Sequence, residues 1–108
     1  MVHELRIYTC MPGKLPDLVK RFENVTLKIW ERHGIRPVGF WTTVVGPNSL
    51  DLYYILEWKD LGERERVWGT FMSDPEWLKA RAESEKNGPI LAKVTNIMLA
   101  PTAYSKIK

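Results

Sequence analysis

The sequence predicts an α+β fold in which two helical stretches alternate with four strands in the order β-α-β-β-α-β. Short runs of strand patterning appear four times along the chain. Two intervening stretches carry apolar residues at helical spacing. Glycine- and proline-containing turns punctuate the boundaries. A chain of 108 residues suits one domain, residues 1–108. At that size folding buries about two-thirds of the unfolded surface, so a core is reachable without staples.

Residues 3–10 alternate, with Leu5, Ile7 and Thr9 on one side and Glu4, Arg6, Tyr8 and Cys10 on the other, the period of a strand. Met11-Pro12-Gly13 is the turn that ends it. Leu15, Leu18, Val19, Phe22, Val25, Ile29, Trp30 and His33 then form one helical stripe. Asp17, Lys20, Arg21, Glu23, Asn24 and Lys28 fall mostly off that stripe. Pro16 suits the first turn, where its missing N–H costs little, and Gly34 is a natural stop. His33 therefore lies in the last turn, on the apolar side.

A second strand runs from about Val38 to Val45, and Gly46-Pro47-Asn48-Ser49 connects it to a third, Leu52 to Trp58. In that third strand Leu52, Tyr54, Leu56 and Trp58 share one face, while Tyr53 and Ile55 point the other way. Asp60-Leu61-Gly62-Glu63 is a capping box for the second helix, whose stripe is Leu61, Val67, Trp68, Phe71 and Met72, with Arg64 alongside. Asp74 and Pro75 restart the helix, and Trp77, Leu78 and Ala80 to Ala82 continue it. Asn87-Gly88-Pro89 ends it. The last strand is about Lys93 to Ala100, with Ile97 and Leu99 facing one way and Val94, Met98 and Ala100 the other.

This order is the ferredoxin-like layout, a four-stranded antiparallel sheet with both helices on one face. The third strand is apolar on both faces, and such a strand is covered on both. Two helices cover only one face. The simplest cover for the other is the same face of a second copy, because a bare apolar sheet is unusual for a monomer. Two such sheets close into a dimeric α/β barrel with the helices outside, so a homodimer is the expected state.

The formal charge is +3, from 16 basic and 13 acidic side chains that are interspersed. That balance points away from nucleic acid as a partner. The single cysteine, Cys10, makes no internal disulfide and fits a reducing compartment. No apolar run approaches the roughly 20 residues of a membrane span, so no membrane insertion is expected. The opening MVHELRIYTC reads as strand from its first residues, leaving no room for a signal or transit peptide, and a cytoplasmic location is expected.

Four short motifs in order resemble the NIPSNAP family: Glu4-Leu5-Arg6-Ile7-Tyr8 followed by Pro12-Gly13-Lys14, then Gly39-Phe40-Trp41-Thr42, then Trp58 to Arg66 (WKDLGERER), then Asp74-Pro75-Glu76-Trp77. The resemblance covers essentially the whole chain. The family is similar in fold to the dimeric α/β-barrel proteins, which agrees with the layout above. That superfamily includes cofactor-independent monooxygenases, haem-degrading enzymes and small-molecule decarboxylases or isomerases. The family itself implies no settled activity and no cofactor, with haem the one group the superfamily brings into view. Longer eukaryotic members are mitochondrial and linked to vesicle traffic and mitophagy. The chain lacks their N-terminal extension, so those roles are not expected to transfer.

Six residues are candidates for a ligand pocket. His33 at the end of an apolar stripe is either a haem ligand or general base, or a cation favouring the helix C-terminus. Arg6 and Tyr8 share a strand face, and an arginine in an apolar layer needs an anion. That anion is a ligand carboxylate, or else Glu4, Glu57 or a glutamate on a helix. Trp41 and Tyr54 are candidate pocket aromatics, while Trp58, Trp68 and Trp77 read as core. Asn96 is the polar residue of an otherwise apolar strand. His33 and Trp41 are expected to form two walls of a helix–sheet cleft, within ERHGIRPVGFWTT. His3 reads as solvated and Cys10 as inert. The two histidines lack metal-motif spacing, and no Ser-His-Asp set or phosphate loop appears. Three functions follow: a homodimer binding a small apolar or aromatic molecule between sheet and helices, a cofactor-independent monooxygenase or haem-processing enzyme using His33, and an adaptor acting through its dimer surface.

Overall fold

A computed structural model describes residues 1–108. Its elements are β1 (Val2–Cys10), α1 (Leu15–Arg21), a π-helical turn (Phe22–Thr26), α2 (Leu27–His33), β2 (Arg36–Thr42), β3 (Asp51–Trp58), α3 (Leu61–Met72), α4 (Pro75–Ser84) and β4 (Leu91–Leu99). The strands form one antiparallel sheet in the order β2-β3-β1-β4, the ferredoxin-like order.

Register decides what each sheet face carries. Arg6 lies between Tyr54 and Asn96, and Leu5 between Ile55 and Ile97. Phe40 pairs with Tyr54, and Trp41 with Tyr53. The helices cover the face bearing Glu4, Arg6, Tyr8, Phe40, Tyr54 and Leu56. Phe22 of the π turn meets Tyr8, Phe40 and Tyr54 at ring separations of 5.9, 5.3 and 5.3 Å. Trp30 of α2 joins them and reaches Phe71 of α3 at 6.0 Å. The opposite face carries Leu5, Ile7, Trp41, Tyr53, Ile55, Ile97 and Leu99. None of these is fully buried.

The helix ends form as their residues dictate. Asp60 accepts from Glu63 N at 2.8 Å, Asp74 accepts from Glu76 N at 2.8 Å, and Gly34 takes a left-handed φ of 76°. The Asp60 box is not reciprocal: Glu63 turns instead to Lys59 N and the Arg36 guanidinium.

Three expectations are corrected. β2 stops at Thr42 rather than Val45, and Val44 and Val45 stand in water in the connection to β3. Their β-branched side chains favour a strand, but no neighbour pairs with them. β2 also starts earlier, at Arg36. Pro37 is tolerated because β2 is an edge strand and the register slips between Pro37 and Gly39. His3 is buried rather than solvated.

The third correction lies in the first helix. Its middle turn is π-helical, with Leu27 N–H donating five residues back to Phe22 O. In an uninterrupted α-helix Arg21 and Thr26 would stand about 140° apart. The widened turn stacks residue i+5 over residue i, and both side chains are buried while Val19 is 39% exposed. Arg21, expected on the polar side, faces the interior.

Candidate functional site

Between the sheet and the helices lies a cavity of about 110 Å³. Arg6, Tyr8, Leu91 and Val94 line it from the sheet, and Arg21, Phe22, Thr26 and Trp30 from the first helical stretch. Trp68, Phe71 and Met72 of α3 and Trp77 and Arg81 of α4 close it. A cavity of about 150 Å³ accommodates benzene, so this smaller one takes a single ring at most. Aromatic walls and few polar groups are the usual make-up of a small-molecule site.

Beside the cavity lies a buried polar network centred on Glu4. Its Oε1 accepts from Trp58 Nε1 at 3.0 Å and Arg64 Nε at 2.9 Å. Its Oε2 accepts from Arg6 Nη1 at 2.8 Å, Arg64 Nη2 at 2.9 Å and Asn96 Nδ2 at 3.1 Å. Burial alone would raise the Glu4 carboxyl, but hydrogen bonds from Arg64 and the charge of Arg6 win and hold it at about 2. Arg6 spends its other donors on Tyr54 and Tyr8, at 2.8 and 3.3 Å, and stacks 4.5 Å over Trp68. Tyr54 donates to Tyr8 at 2.7 Å, and burial drives its own phenol well above the usual range. The arginine in the apolar layer therefore finds its anion within the chain, in Glu4; Glu57 lies on the other sheet face.

The six candidates separate into three groups. Arg6 and Tyr8 line the cavity. Tyr54 and Asn96 sit behind them in the network, holding Arg6 and Glu4. His33 and Trp41 are elsewhere, and they do not form two walls of one cleft. His33 Nε2 lies 2.6 Å from Asp74 Oδ2, with Phe71 against its ring. The His33 hydrogen bond, opposed by burial and joined by the Glu76 amide and Arg32, holds the Asp74 carboxyl at about 2. His33 thus ties the end of α2 to the residue capping α4. Trp41 lies on the opposite sheet face, its ring folded across Gly39, where an added Cβ would come within 2.8 Å of it.

These positions do not fit haem at this cavity. No histidine lines it, His33 is engaged by Asp74, and a porphyrin exceeds a single-ring space. No group of three or more His, Cys, Asp or Glu side chains is arranged to hold a metal ion. Cys10 is buried, and burial raises its thiol above the usual range, unsuited to nucleophilic work.

Several lining residues escaped sequence reasoning. Arg21 and Thr26 enter through the π turn, which no periodicity announces. Trp68 and Trp77 read as plain core. Arg81 carries no signal in the sequence beyond its charge.

Known proteins place this architecture. A NIPSNAP-like domain protein from Burkholderia xenovorans is 25% identical over 96% of this chain and 87% of its own, with a TM-score of 0.85. A NIPSNAP family protein of unknown function from Agrobacterium tumefaciens is 23% identical over 100% of this chain and 94% of its own, at 0.87. A putative antibiotic biosynthesis monooxygenase from Nitrosomonas europaea shares the fold at 6% identity, with coverage of 94% and 98% and a TM-score of 0.62. No curated protein matches the chain. The NIPSNAP family pattern matches residues 3–106, and with the whole fold superimposing on two proteins so described, the chain belongs to the NIPSNAP family.

Proposed function

We propose that this NIPSNAP protein is a homodimer in which each subunit holds a small apolar or aromatic molecule between sheet and helices. The observation that carries the reading is the single-ring cavity walled by Phe22, Trp30, Trp68, Phe71 and Trp77. Three of the chain's five tryptophans line it, so occupancy is readable by intrinsic fluorescence. Titration with one-ring probes, benzyl alcohol and benzoate, is expected to give a saturable change with at least one. Native mass spectrometry of freshly purified protein is expected to show added mass from a retained ligand. No saturable response to either probe and no retained mass would overturn the reading.

The second copy is supported by the uncovered sheet face. Trp41, Ile97 and Leu99 are 51, 44 and 42% exposed, beside half-buried Leu5, Ile7, Tyr53 and Ile55. A continuous apolar face of this kind matches itself across a two-fold axis. The same mass spectrum tests it: twice the 12.6 kDa chain supports the dimer, and a monomer at micromolar concentration removes it.

A further inference from the structure

The cavity region carries more positive charge than the chain neutralises. Glu4 serves both Arg6 and Arg64. Glu85 serves both Arg21 and Arg81, at 3.4 Å each. Four guanidinium groups therefore share two carboxylates. Charge-assisted N–H···O bonds normally run about 2.7–2.9 Å, so the Glu85 contacts are loose.

Arg6 and Arg21 differ in how fully they are engaged. Arg6 donates from Nε, Nη1 and Nη2 to Tyr54, Glu4 and Tyr8. Both hydrogen bonds of Arg21 leave from Nη1, to Ser84 Oγ at 3.3 Å and Glu85 at 3.4 Å. Its Nε is buried and unpartnered. Burial, only partly offset by Glu85, pulls the Arg21 guanidinium below the usual arginine range.

Three of the other five unpartnered atoms belong to residues of the same cavity. Six buried side-chain nitrogen or oxygen atoms of the chain lack a hydrogen bond, and four belong to residues lining this cavity: Arg21 Nε, Thr26 Oγ1, Trp30 Nε1 and Trp77 Nε1. All four residues are more than nine-tenths buried. The three nitrogens can only donate. Protein interiors rarely leave several donors unmet together, and a small turn of these side chains toward an acceptor-rich group of negative charge would meet them.

We propose that the cavity's occupant is a small carboxylate of about single-ring size, with Arg21 as the principal partner of its carboxylate and the aromatic walls around its body. This rests on the reading that the cavity holds a small molecule and fixes the charge of that molecule.

Benzoate and benzyl alcohol share a ring and nearly a size but differ in charge, so the pair tests the proposal. Tryptophan fluorescence titration of the intact protein is expected to show benzoate binding at least about tenfold tighter than benzyl alcohol. Arg21→Met is expected to weaken benzoate about tenfold or more, as loss of a charged hydrogen bond does, and to change benzyl alcohol far less. Trp77→Phe keeps a ring and removes one donor, and is expected to weaken benzoate severalfold more than benzyl alcohol; it decides the matter should Arg21→Met not fold. Equal or tighter binding of benzyl alcohol, or unchanged benzoate affinity in the folded variants, overturns the carboxylate while leaving the small-molecule reading intact. Failure of both probes overturns the carboxylate, and failure of both with no retained mass overturns the small-molecule reading as well.

Discussion

The two faces of the sheet invert the usual arrangement. The face under the helices buries Glu4 and Arg6 among aromatic rings, while the open face bears Leu5, Ile7, Ile55 and Ile97. The inner face holds its charges because every oxygen of Glu4 has two or more donors and Arg6 is engaged on all three nitrogens. The open face has no such internal account, and its apolar side chains make sense against another surface. A polar residue in a strand thus need not face water, and an apolar one need not face the domain's own core.

The largest way to break this contrast is at Glu4. Glu4→Gln leaves Arg6 and Arg64 without their carboxylate in a buried site, at a cost of about 3–5 kcal/mol, read by urea unfolding. That is a large share of the roughly 5–15 kcal/mol a domain possesses. A variant within 1 kcal/mol of the parent would show that the network is better solvated than its geometry implies. Ile55→Glu acts on the other face. It is expected to yield folded monomers by light scattering without losing the helical circular dichroism, since Ile55 lies away from the helix-covered core. Loss of fold in place of dissociation would assign Ile55 to the core instead.

Acid sharpens the comparison further. Glu4 titrates at about 2 in the folded chain against 4.5 in its ordinary state, and Asp74 at about 2 against 3.8. Folded values below the unfolded ones mean stability that is complete above about pH 5 and drains away as pH falls from about 4.5 toward 2. Urea midpoints are expected to be flat from pH 5 to 7 and to drop steadily below 4.5. A midpoint unchanged at pH 3 would contradict the carboxylate network. The smallest effect is expected at Asp60→Ala, which removes one N-cap hydrogen bond away from both faces and costs about 1 kcal/mol by the same unfolding assay.

The order of elements, the caps and the parity of the first, third and last strands were legible in the sequence because they depend on local rules: period two in Leu52 to Trp58, an acidic cap at Asp60 and Asp74, a glycine stop at Gly34. The alternation around Arg6 placed Arg6 and Tyr8 together correctly. The same local rules could not say that Trp41 belongs to the far face of an edge strand relative to His33, because the join between helix and strand sets that parity. They also misplaced Arg21, whose burial depends on a helix that is not regular.

A π turn is an α-helix with one residue inserted. Closing the turn with all five residues kept would rotate everything before it by about 100° relative to α2, swinging Leu18 from the core and Arg21 away from the cavity. Deleting one residue from the stretch 22–26 instead leaves Arg21 about 40° from Thr26, so a regular helix forms and both sides keep their facing. The segment therefore tolerates a change of length that most helices do not: a shortened variant is expected to keep the cavity's cation.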